Sequence, residues 1–439
     1  MLQLIGTKWR ALNIKPIQIV CHKSNYTSLK RKLKHLFDGG DWNVYEPNIL
    51  KLGVGAPGTD IMAANCDNFR AATDHCLERE KRENQSLIFQ YGPPSGTFEV
   101  RREISTYFTE MFQSPVNSED LIITTGATQG FHLILSTMLD FEGFVFVDEY
   151  TFMVALDMIK HFSTLTIVPV KLNDDGVDLR DLEEQVFKRR FQSKKKEFWG
   201  IYYTIPTYHN PTGILFSPEV CRGIVQLARK YDFLVVCDDV YNILSYGEKP
   251  TRLMSYDVRT DADFGGHVIS NGSFSKVLGP GVRLGWLELP PRLKPIIDGC
   301  GFANSSGCFN NYTSGIVGSL FELKLAQKQI AVAYEAYKER MLATTQVLRD
   351  ELPACCKLVS PTGGYFIWVR IPDQLDCREF LKYCLENHKI YFIVGTRFSA
   401  DGQSGKQFFR LSIAFYPKEK LVDGARRLCN ALKDYIVKH

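Results

Sequence analysis

From about residue 86 onward, short apolar segments alternate with segments of helical periodicity, and no other feature of the 439-residue chain constrains its fold as strongly. Strands that are bounded by turns and separated by helices indicate an α/β fold with a mostly parallel central sheet covered by helices. The segments with strand character are 121–125, 144–147, 164–170, 199–203, 234–237 and 268–270. The segments with helical character are 97–112, 129–139, 179–187 and 217–231, the last of which begins with a Ser-Pro start signal.

The pattern changes after residue 315. One long helical segment, 315–352, contains no strand. Strand patterns follow at 364–369, 390–394 and 409–414, with helical patterns at 377–386 and 420–437. This arrangement predicts a second, smaller α+β domain at the C-terminal end.

Positive charge is concentrated at the N-terminus. Lys and Arg exceed Asp and Glu by 53 − 49 = +4, but eight of the basic residues lie within residues 1–37, which contain no acid, so the remainder has 45 − 49 = −4. The basic extension 1–40 is typical of a mitochondrial transit segment, or of a basic surface helix (28–37) on a cytoplasmic enzyme, and both alternatives stay open. The mildly acidic remainder gives no reason to expect a nucleic-acid partner. No apolar stretch approaches the roughly 18 residues of a membrane span.

The twelve cysteines include no CxxC pair. A chain of this length does not need disulfide bonds for its stability, so we expect reduced thiols in an intracellular compartment. No HExxH motif or paired Cys/His spacing indicates a metal site.

One glycine-rich loop matches a dinucleotide-binding pattern. Gly53-Val-Gly55-Ala-Pro-Gly58 has the spacing G-x-G-x-x-G after an apolar stretch, which would favour a nicotinamide-dependent oxidoreductase. However, residues 75–85 are rich in Glu, Arg and Lys where that fold needs a second strand, and Pro57 interrupts the loop. We therefore expect a different role for this loop.

Polar motifs follow several predicted strands, at the sheet edge where open α/β folds bind ligands. Lys276 ends the motif Ser270-Asn-Gly-Ser-Phe-Ser-Lys276, directly after an apolar strand. Burial lowers the pKa of an amine and makes it a usable nucleophile, whereas most lysines are solvated surface charges. Hydroxyl groups of this motif and the nearby guanidinium of Arg283 have the chemistry to hold a phosphate.

Three further motifs end predicted strands. Asp238 and Asp239 follow an apolar strand, and a carboxylate there can keep a ring nitrogen protonated, or can serve as a helix cap. Asn210-Pro211 is a turn signal whose amide can donate to a ring oxygen. The segment 124–129 is a strand–glycine–helix junction, a general anion site at which Thr128 adds a hydroxyl group.

Together and in this order, the four motifs resemble the fold type I pyridoxal-phosphate (PLP) enzymes, in particular the class I/II aminotransferases, from about residue 50 to about residue 435. The resemblance is nearest to the aminoadipate, kynurenine and aromatic transaminases. It implies PLP as cofactor, an L-amino acid and a 2-oxo acid as substrates, and ping-pong kinetics. It also implies four parts: a basic extension (1–40), an N-terminal arm with a substrate loop (41–85), a large PLP-binding domain (86–315) and a small C-terminal domain (316–439).

The resemblance leaves rival functions open. A PLP-dependent β-lyase of the cysteine-S-conjugate type has the same fold, and fold does not fix function. Pyruvate and ammonia formed without any 2-oxo acid would distinguish it. A ligand-sensing module without turnover would need a DNA-binding domain, for which forty basic residues are too short.

The resemblance assigns cofactor-binding roles residue by residue. Lys276 matches the lysine that binds PLP covalently and transfers the substrate proton. Asp238 matches the partner of the pyridine nitrogen, and Tyr241 and Asn210 match the pair that hydrogen-bonds the phenolic oxygen of the ring. The implied phosphate contacts are Ala127, Thr128, Ser273 and Arg283.

The resemblance also assigns substrate and subunit contacts. Arg410 matches the arginine that binds the substrate α-carboxylate, and Gly55 matches the glycine that lies against the substrate, as Asn210 does. Tyr91 matches a tyrosine that reaches the phosphate of a neighbouring subunit, which implies a homodimer. Phe152 departs from the family's usual Pro-Thr-Tyr; it either stacks on the cofactor ring without a hydroxyl group or is simply a core residue.

Overall fold

The computed structural model describes residues 48–190 and 195–438, so the expected basic helix 28–37 lies outside the described residues. Its first strands are β1 (Leu50–Lys51), β2 (Leu121–Thr124), β3 (Leu139–Asp148), β4 (Thr166–Val170), β5 (Leu172–Asn173), β6 (Gly176–Val177) and β7 (Phe198–Thr204). The remaining strands are β8 (Leu234–Asp238), β9 (Val268–Ser273), β10 (Gly285–Glu288), β11 (Lys357–Leu358), β12 (Phe366–Arg370), β13 (Ile390–Tyr391), β14 (Ile393–Val394) and β15 (Phe408–Ser412).

Helices surround these strands. They are α1 (Asn65–Arg82), α2 (Phe98–Phe112), α3 (Ala127–Thr137), α4 (Met153–Lys160), α5 (Leu179–Arg189), α6 (Pro218–Tyr231), α7 (Lys294–Asp298), α8 (Gly301–Ser306), α9 (Asn311–Glu322), α10 (Leu325–Glu351), α11 (Cys377–Tyr383) and α12 (Lys418–Lys438). No helix among them is both long and apolar enough to cross a membrane.

The central sheet has seven strands in the order β2-β10-β9-β8-β7-β3-β4. All neighbouring pairs are parallel except those of β10, which runs antiparallel to both β2 and β9. The expectation of a mostly parallel α/β sheet is therefore confirmed. Because β2, β3, β7, β8 and β9 share one direction, the segments that follow them emerge at the same edge.

Burial explains why these segments form strands. All seven residues of β7 and all five of β8 are buried, as expected for a parallel sheet covered on both faces. Helix α6 covers the sheet with one apolar stripe: Val220, Cys221, Ile224, Val225 and Ala228. Its start is fixed by Ser217, whose hydroxyl oxygen accepts from Val220 N–H at 3.3 Å, a cap worth about 1 kcal/mol.

A second, antiparallel sheet has the order β11-β12-β15-β14. The N-terminal strand β1 does not join the central sheet but runs parallel to β13. Beyond β1, the carbonyl of Leu52 accepts from Ser412 N–H at 2.6 Å, and Gly58 N–H donates to the carbonyl of Ala414 at 3.1 Å. The glycine-rich loop is therefore attached by backbone hydrogen bonds to the C-terminal quarter of the chain.

Two expectations about secondary structure were wrong. The segment 315–352 is two helices, because the backbone at Lys324 turns into the left-handed region (φ 59°) between α9 and α10. The segment 390–394 is divided between β13 and β14, which pair with different strands. The short strand β10 was not expected at all.

The glycine-rich loop Gly53–Gly58 also differs from the dinucleotide pattern. The polar segment 75–85, where that pattern needs a second strand, lies largely within helix α1. No strand follows α1 before β2, and a second parallel strand is what a dinucleotide fold requires at this point.

Within the described residues, all eleven cysteines are free thiols. In the same residues no group of three or more His, Cys, Asp or Glu side chains is placed to hold a metal ion.

Candidate active site

Lys276 lies at the end of the 3₁₀ turn Phe274–Lys276, directly after β9. Its partly buried Nζ donates to the carbonyl of Gly55 at 3.0 Å. Its own backbone carbonyl accepts from the hydroxyl groups of Tyr337 (3.1 Å) and Tyr365 (2.5 Å). Burial lowers the pKa of this amine to about 8; the Asp238 carboxylate opposes the shift and the Arg410 guanidinium adds to it. Lys276 thus combines a backbone held by two hydrogen bonds with an amine whose pKa is lowered towards neutral pH.

Asp238 is the last residue of β8 and is 7% exposed. Its Oδ2 accepts from the Tyr203 hydroxyl at 2.6 Å, while its buried Oδ1 has no hydrogen-bond partner among the described residues. Burial raises the pKa of the Asp238 carboxyl to about 6, with the Tyr203 hydrogen bond and the Lys276 charge opposing the shift. A buried carboxylate oxygen without a donor is costly unless a ligand supplies one.

Tyr241 and Asn210 border the same space. The Lys276 Nζ lies 5.9 Å from the centre of the Tyr241 ring, and burial raises the pKa of the Tyr241 phenol well above its usual value. Asn210, in the turn after β7, is buried and accepts with its Oδ1 from Arg410 Nη1 at 2.7 Å. Because the amide oxygen of Asn210 already accepts from Arg410, its side chain would bind a ligand by donating from the amide N–H groups.

Arg410 lies on β15 and is 1% exposed. Besides its bond to Asn210, its Nη2 donates to the carbonyl of Gly53 at 2.8 Å, and its guanidinium carbon lies 4.0 Å from the centre of the Phe366 ring. Gly55 is buried against the same ring: a Cβ at this glycine would lie 3.1 Å from Phe366. The glycine loop and the guanidinium therefore form one compact wall.

The expected phosphate contacts lie where β2 meets α3. Gly126 has φ 111°, and a Cβ there would lie 3.0 Å from Nη2 of the exposed Arg283. Among the residues that the structure describes, no side chain caps the N-terminus of α3, so the first N–H groups of the helix at Ala127 and Thr128 are available to an anion. Ser273, at the end of β9, is buried beside Ser275. The structure thus brings these residues to one edge of the sheet.

Tyr91 and Phe152 are the two remaining expected residues. Tyr91 is 82% exposed and points away from the described chain. Phe152 is the residue before α4, at the carboxyl end of β3, where it is partly buried and packs against the main core. Its place at the ligand-binding edge fits either role that the sequence left open.

Several polar groups of the site were missed in the sequence. Tyr203, Tyr337 and Tyr365 are buried among apolar residues and look like core aromatics, although all three donate hydrogen bonds to site residues. His209 was also missed and belongs to a separate buried network: its Nε2 lies 3.1 Å from Asp148 Oδ2 and its Nδ1 lies 2.8 Å from Thr212 Oγ1. The adjacent Asn210-Pro211 signal was the only indication of that network.

These groups fit PLP. The unpartnered Asp238 Oδ1 suits a protonated ring nitrogen, the amine of Lys276 suits an aldehyde, and the uncapped helix with Arg283 suits a phosphate. The fit rests on the donor and acceptor chemistry of the residues that are present.

Comparisons with known proteins identify relatives of this chain. Residues 47–428 match the sequence profile of the family Aminotransferase class I and II. Aromatic-amino-acid aminotransferase 1 from Thermococcus litoralis is 29% identical over 82% of this chain and 83% of its own length. The 2-aminoadipate transaminase of Thermus thermophilus is 28% identical over 88% of this chain and 91% of its own length.

A solved structure shows the same fold. The kynurenine aminotransferase of Pyrococcus horikoshii, crystallised in complex with PMP, superposes with a TM-score of 0.77 at 26% identity. The superposition covers 92% of this chain and 94% of that one.

Proposed function

The chain belongs to the class I and II aminotransferase family and is a PLP-dependent transaminase, and from this premise we propose which residues act and on what. In our proposal, Lys276, Asp238 and Arg410 carry the transfer of an amino group from an L-amino acid with an aromatic or long side chain to a 2-oxo acid. The observation that carries the proposal is a lysine amine, whose pKa burial lowers to about 8, in one site with a buried carboxylate that has one oxygen without a hydrogen-bond partner among the described residues. Bound PLP supplies an electron sink for the negative charge that forms when the substrate Cα loses its proton.

Lys276 has the reactivity that this chemistry needs. An amine with a pKa of about 8 is about one-tenth neutral at pH 7, whereas a lysine with the usual pKa of 10.5 is neutral in well under one molecule in a thousand. The neutral Nζ accepts a proton and returns it as an ammonium group. The two tyrosine hydroxyl groups on its carbonyl hold the backbone in place while the side chain moves.

Asp238, Tyr241 and Asn210 hold the cofactor ring in the proposal. The carboxylate would offer Oδ1 to the ring nitrogen, and the hydroxyl of Tyr241 and the amide of Asn210 would donate to the phenolic oxygen of the ring. At the phosphate, the first N–H groups of α3 act with the Ser273 hydroxyl and the Arg283 guanidinium.

Arg410 supports the assignment of the substrate carboxylate. A planar guanidinium binds a carboxylate with two parallel hydrogen bonds, and the Phe366 ring beneath it restricts its rotation. Trp368 pairs with Arg410 across β12 and β15 and packs against further aromatic rings: Tyr150, Phe398 and Phe408. An aromatic surface beside the carboxylate site favours aromatic or long apolar side chains. The relatives named for aromatic and aminoadipate substrates support the same range.

We also propose a homodimer with shared sites. Residues 87–98 carry four exposed apolar side chains, Leu87, Phe89, Tyr91 and Phe98, and the Phe89 ring lies 5.8 Å from the ring of the exposed Tyr312. Exposed apolar side chains that lie together are typical of an interface. A second copy of the chain would cover them and would bring Tyr91 to the neighbouring phosphate.

An absorbance spectrum of the purified chain tests the proposal. With PLP bound through Lys276 we expect a visible band that bleaches when L-amino acids are added and returns with a 2-oxo acid. Lys276→Ala should bind PLP without that covalent band. If the band persists while pyruvate and ammonia accumulate, the β-lyase is the better assignment. If no band forms with added PLP, the role of Lys276 is wrong.

A further inference from the structure

Two adjacent tyrosines of β7 hold two buried aspartates. Strand β7 lies between β3 and β8, and successive side chains of a strand point to opposite faces. On one face, the Tyr202 hydroxyl donates to Asp148 Oδ1 at 2.6 Å; on the other, the Tyr203 hydroxyl donates to Asp238 Oδ2 at 2.6 Å. The two hydrogen bonds have the same length and the same donor and acceptor types, but only one of them reaches the site.

The two aspartates differ in what else they bind. Asp148 also accepts from the Thr204 hydroxyl and lies 3.1 Å from His209 Nε2, so both of its oxygens are engaged. Asp238 Oδ1 has no hydrogen-bond partner in the described part of the chain. The titratable and charged groups that face Asp238 are Tyr203, Cys237, Asp239, Tyr241 and Lys276.

We propose that Tyr203 is a positioning residue that acts through Asp238: by engaging Oδ2, it fixes the rotation of the carboxylate and keeps it ionised, so that Oδ1 faces the ring nitrogen of PLP. This inference rests on the proposed role of Asp238. The carboxyl is buried, so water does not provide a substitute donor. The Tyr203 ring is itself held 4.5 Å from the Phe131 ring, centre to centre, so the hydroxyl has a fixed position.

Removing the hydroxyl group has a definite electrostatic consequence. Burial already raises the pKa of the Asp238 carboxyl to about 6, and the Tyr203 hydrogen bond opposes that rise. A hydrogen bond to a charged group is strong enough that its loss raises the pKa by about one unit. The carboxylate of a Tyr203→Phe variant is then largely protonated at pH values where the wild-type carboxylate is ionised.

The test is PLP retention as a function of pH. Full-length wild-type, Tyr203→Phe and Tyr202→Phe holoenzymes are dialysed to equilibrium between about pH 5 and pH 8, and bound PLP is measured. Retention falls on acidification as Asp238 is protonated. We expect the midpoint of that fall to move up by about one pH unit in Tyr203→Phe and to stay in place in Tyr202→Phe. The control loses a matched buried hydrogen bond, so a loss of stability alone affects both variants.

A cofactor analogue in which carbon replaces the ring nitrogen gives a second readout. Its affinity does not depend on the Asp238 contact, so we expect wild type and Tyr203→Phe to bind it equally. The inference is overturned if the midpoint does not move, or if the analogue and PLP lose affinity alike. If Asp238→Asn retains PLP as wild type does at every pH, the proposed role of Asp238 fails instead, and the two failures are distinguishable.

Discussion

Replacing Arg410 with lysine tests the assignment of the carboxylate site. The variant keeps the positive charge but exchanges a planar fork for a single ammonium group. In the structure, the fork donates to Asn210 and Gly53, and its central carbon lies 4.0 Å from the centre of the Phe366 ring. Lysine cannot reproduce these contacts and also hold a substrate carboxylate with two bonds.

The expected magnitude follows from the contacts that are lost. One charge-assisted hydrogen bond to the substrate contributes about 1.5–3 kcal/mol, and the stacking of a cation on an aromatic ring contributes about 1 kcal/mol. A sum of about 2.5–4 kcal/mol corresponds to a fall in kcat/KM of about 100- to 1,000-fold. Because the carboxylate is bound before and during the reaction, most of the loss should appear in KM.

The assay is the single-turnover half-reaction, followed by absorbance over a range of amino-acid concentrations. The discriminating substrate is the corresponding amine, which lacks the carboxylate and should react equally slowly with wild type and with Arg410→Lys. The exposed Arg349 of α10 offers a matched control, since Arg349→Lys should react as wild type does. A loss of less than tenfold for the amino acid, or an equal loss for the amine, would refute the reasoning.

Three other predictions concern the cofactor. Gly126→Ala should weaken PLP binding about tenfold, because φ 111° is unfavourable for alanine and its Cβ would crowd Arg283 Nη2. The control is Gly247→Ala, whose added Cβ would meet nothing within 4 Å and which should bind PLP as wild type does. Equal PLP affinities of Gly126→Ala and Gly247→Ala would contradict the prediction. The rate of PLP capture should rise with pH around a midpoint of about 8, since the amine of Lys276 must be neutral; a midpoint near 10.5 would contradict its burial. Tyr91→Phe should lose about tenfold in PLP affinity by equilibrium dialysis. Mixing it with Lys276→Ala should restore one full site per hybrid dimer, and no recovery would argue against shared sites.

Local patterns predicted the parts of the fold that local chemistry determines. The strands β7 and β8 are uninterrupted apolar runs with a polar residue at the end, and α6 has a start signal and one apolar stripe. The motif residues after them, such as Asp238 and Lys276, could be placed at one edge because parallel strands share a direction.

Tertiary contacts decided what the sequence did not reveal. Strand β10 has only four residues and is fixed by two antiparallel neighbours, one of which, β2, is distant in the chain. The sequence around Lys324 contains no glycine or proline that would have predicted the break between α9 and α10. In the site, Tyr203 lies in an apolar strand, so the sequence suggests only a core aromatic residue. The contact of its hydroxyl group with Asp238 follows from the pairing of β7 with β8.

The attachment of the glycine loop to the last quarter of the chain sets an order of events during synthesis. Gly53 and Arg410, which share a hydrogen bond, are 357 residues apart in the chain. The loop leaves the ribosome early, but its backbone partners are made much later, so the pocket for the substrate closes only after Arg410 has been synthesised. Contacts of such long range slow folding and leave incomplete chains exposed to aggregation. A nascent or truncated chain that ends before Arg410 therefore carries the lysine and the aspartate of the site without a wall for the substrate.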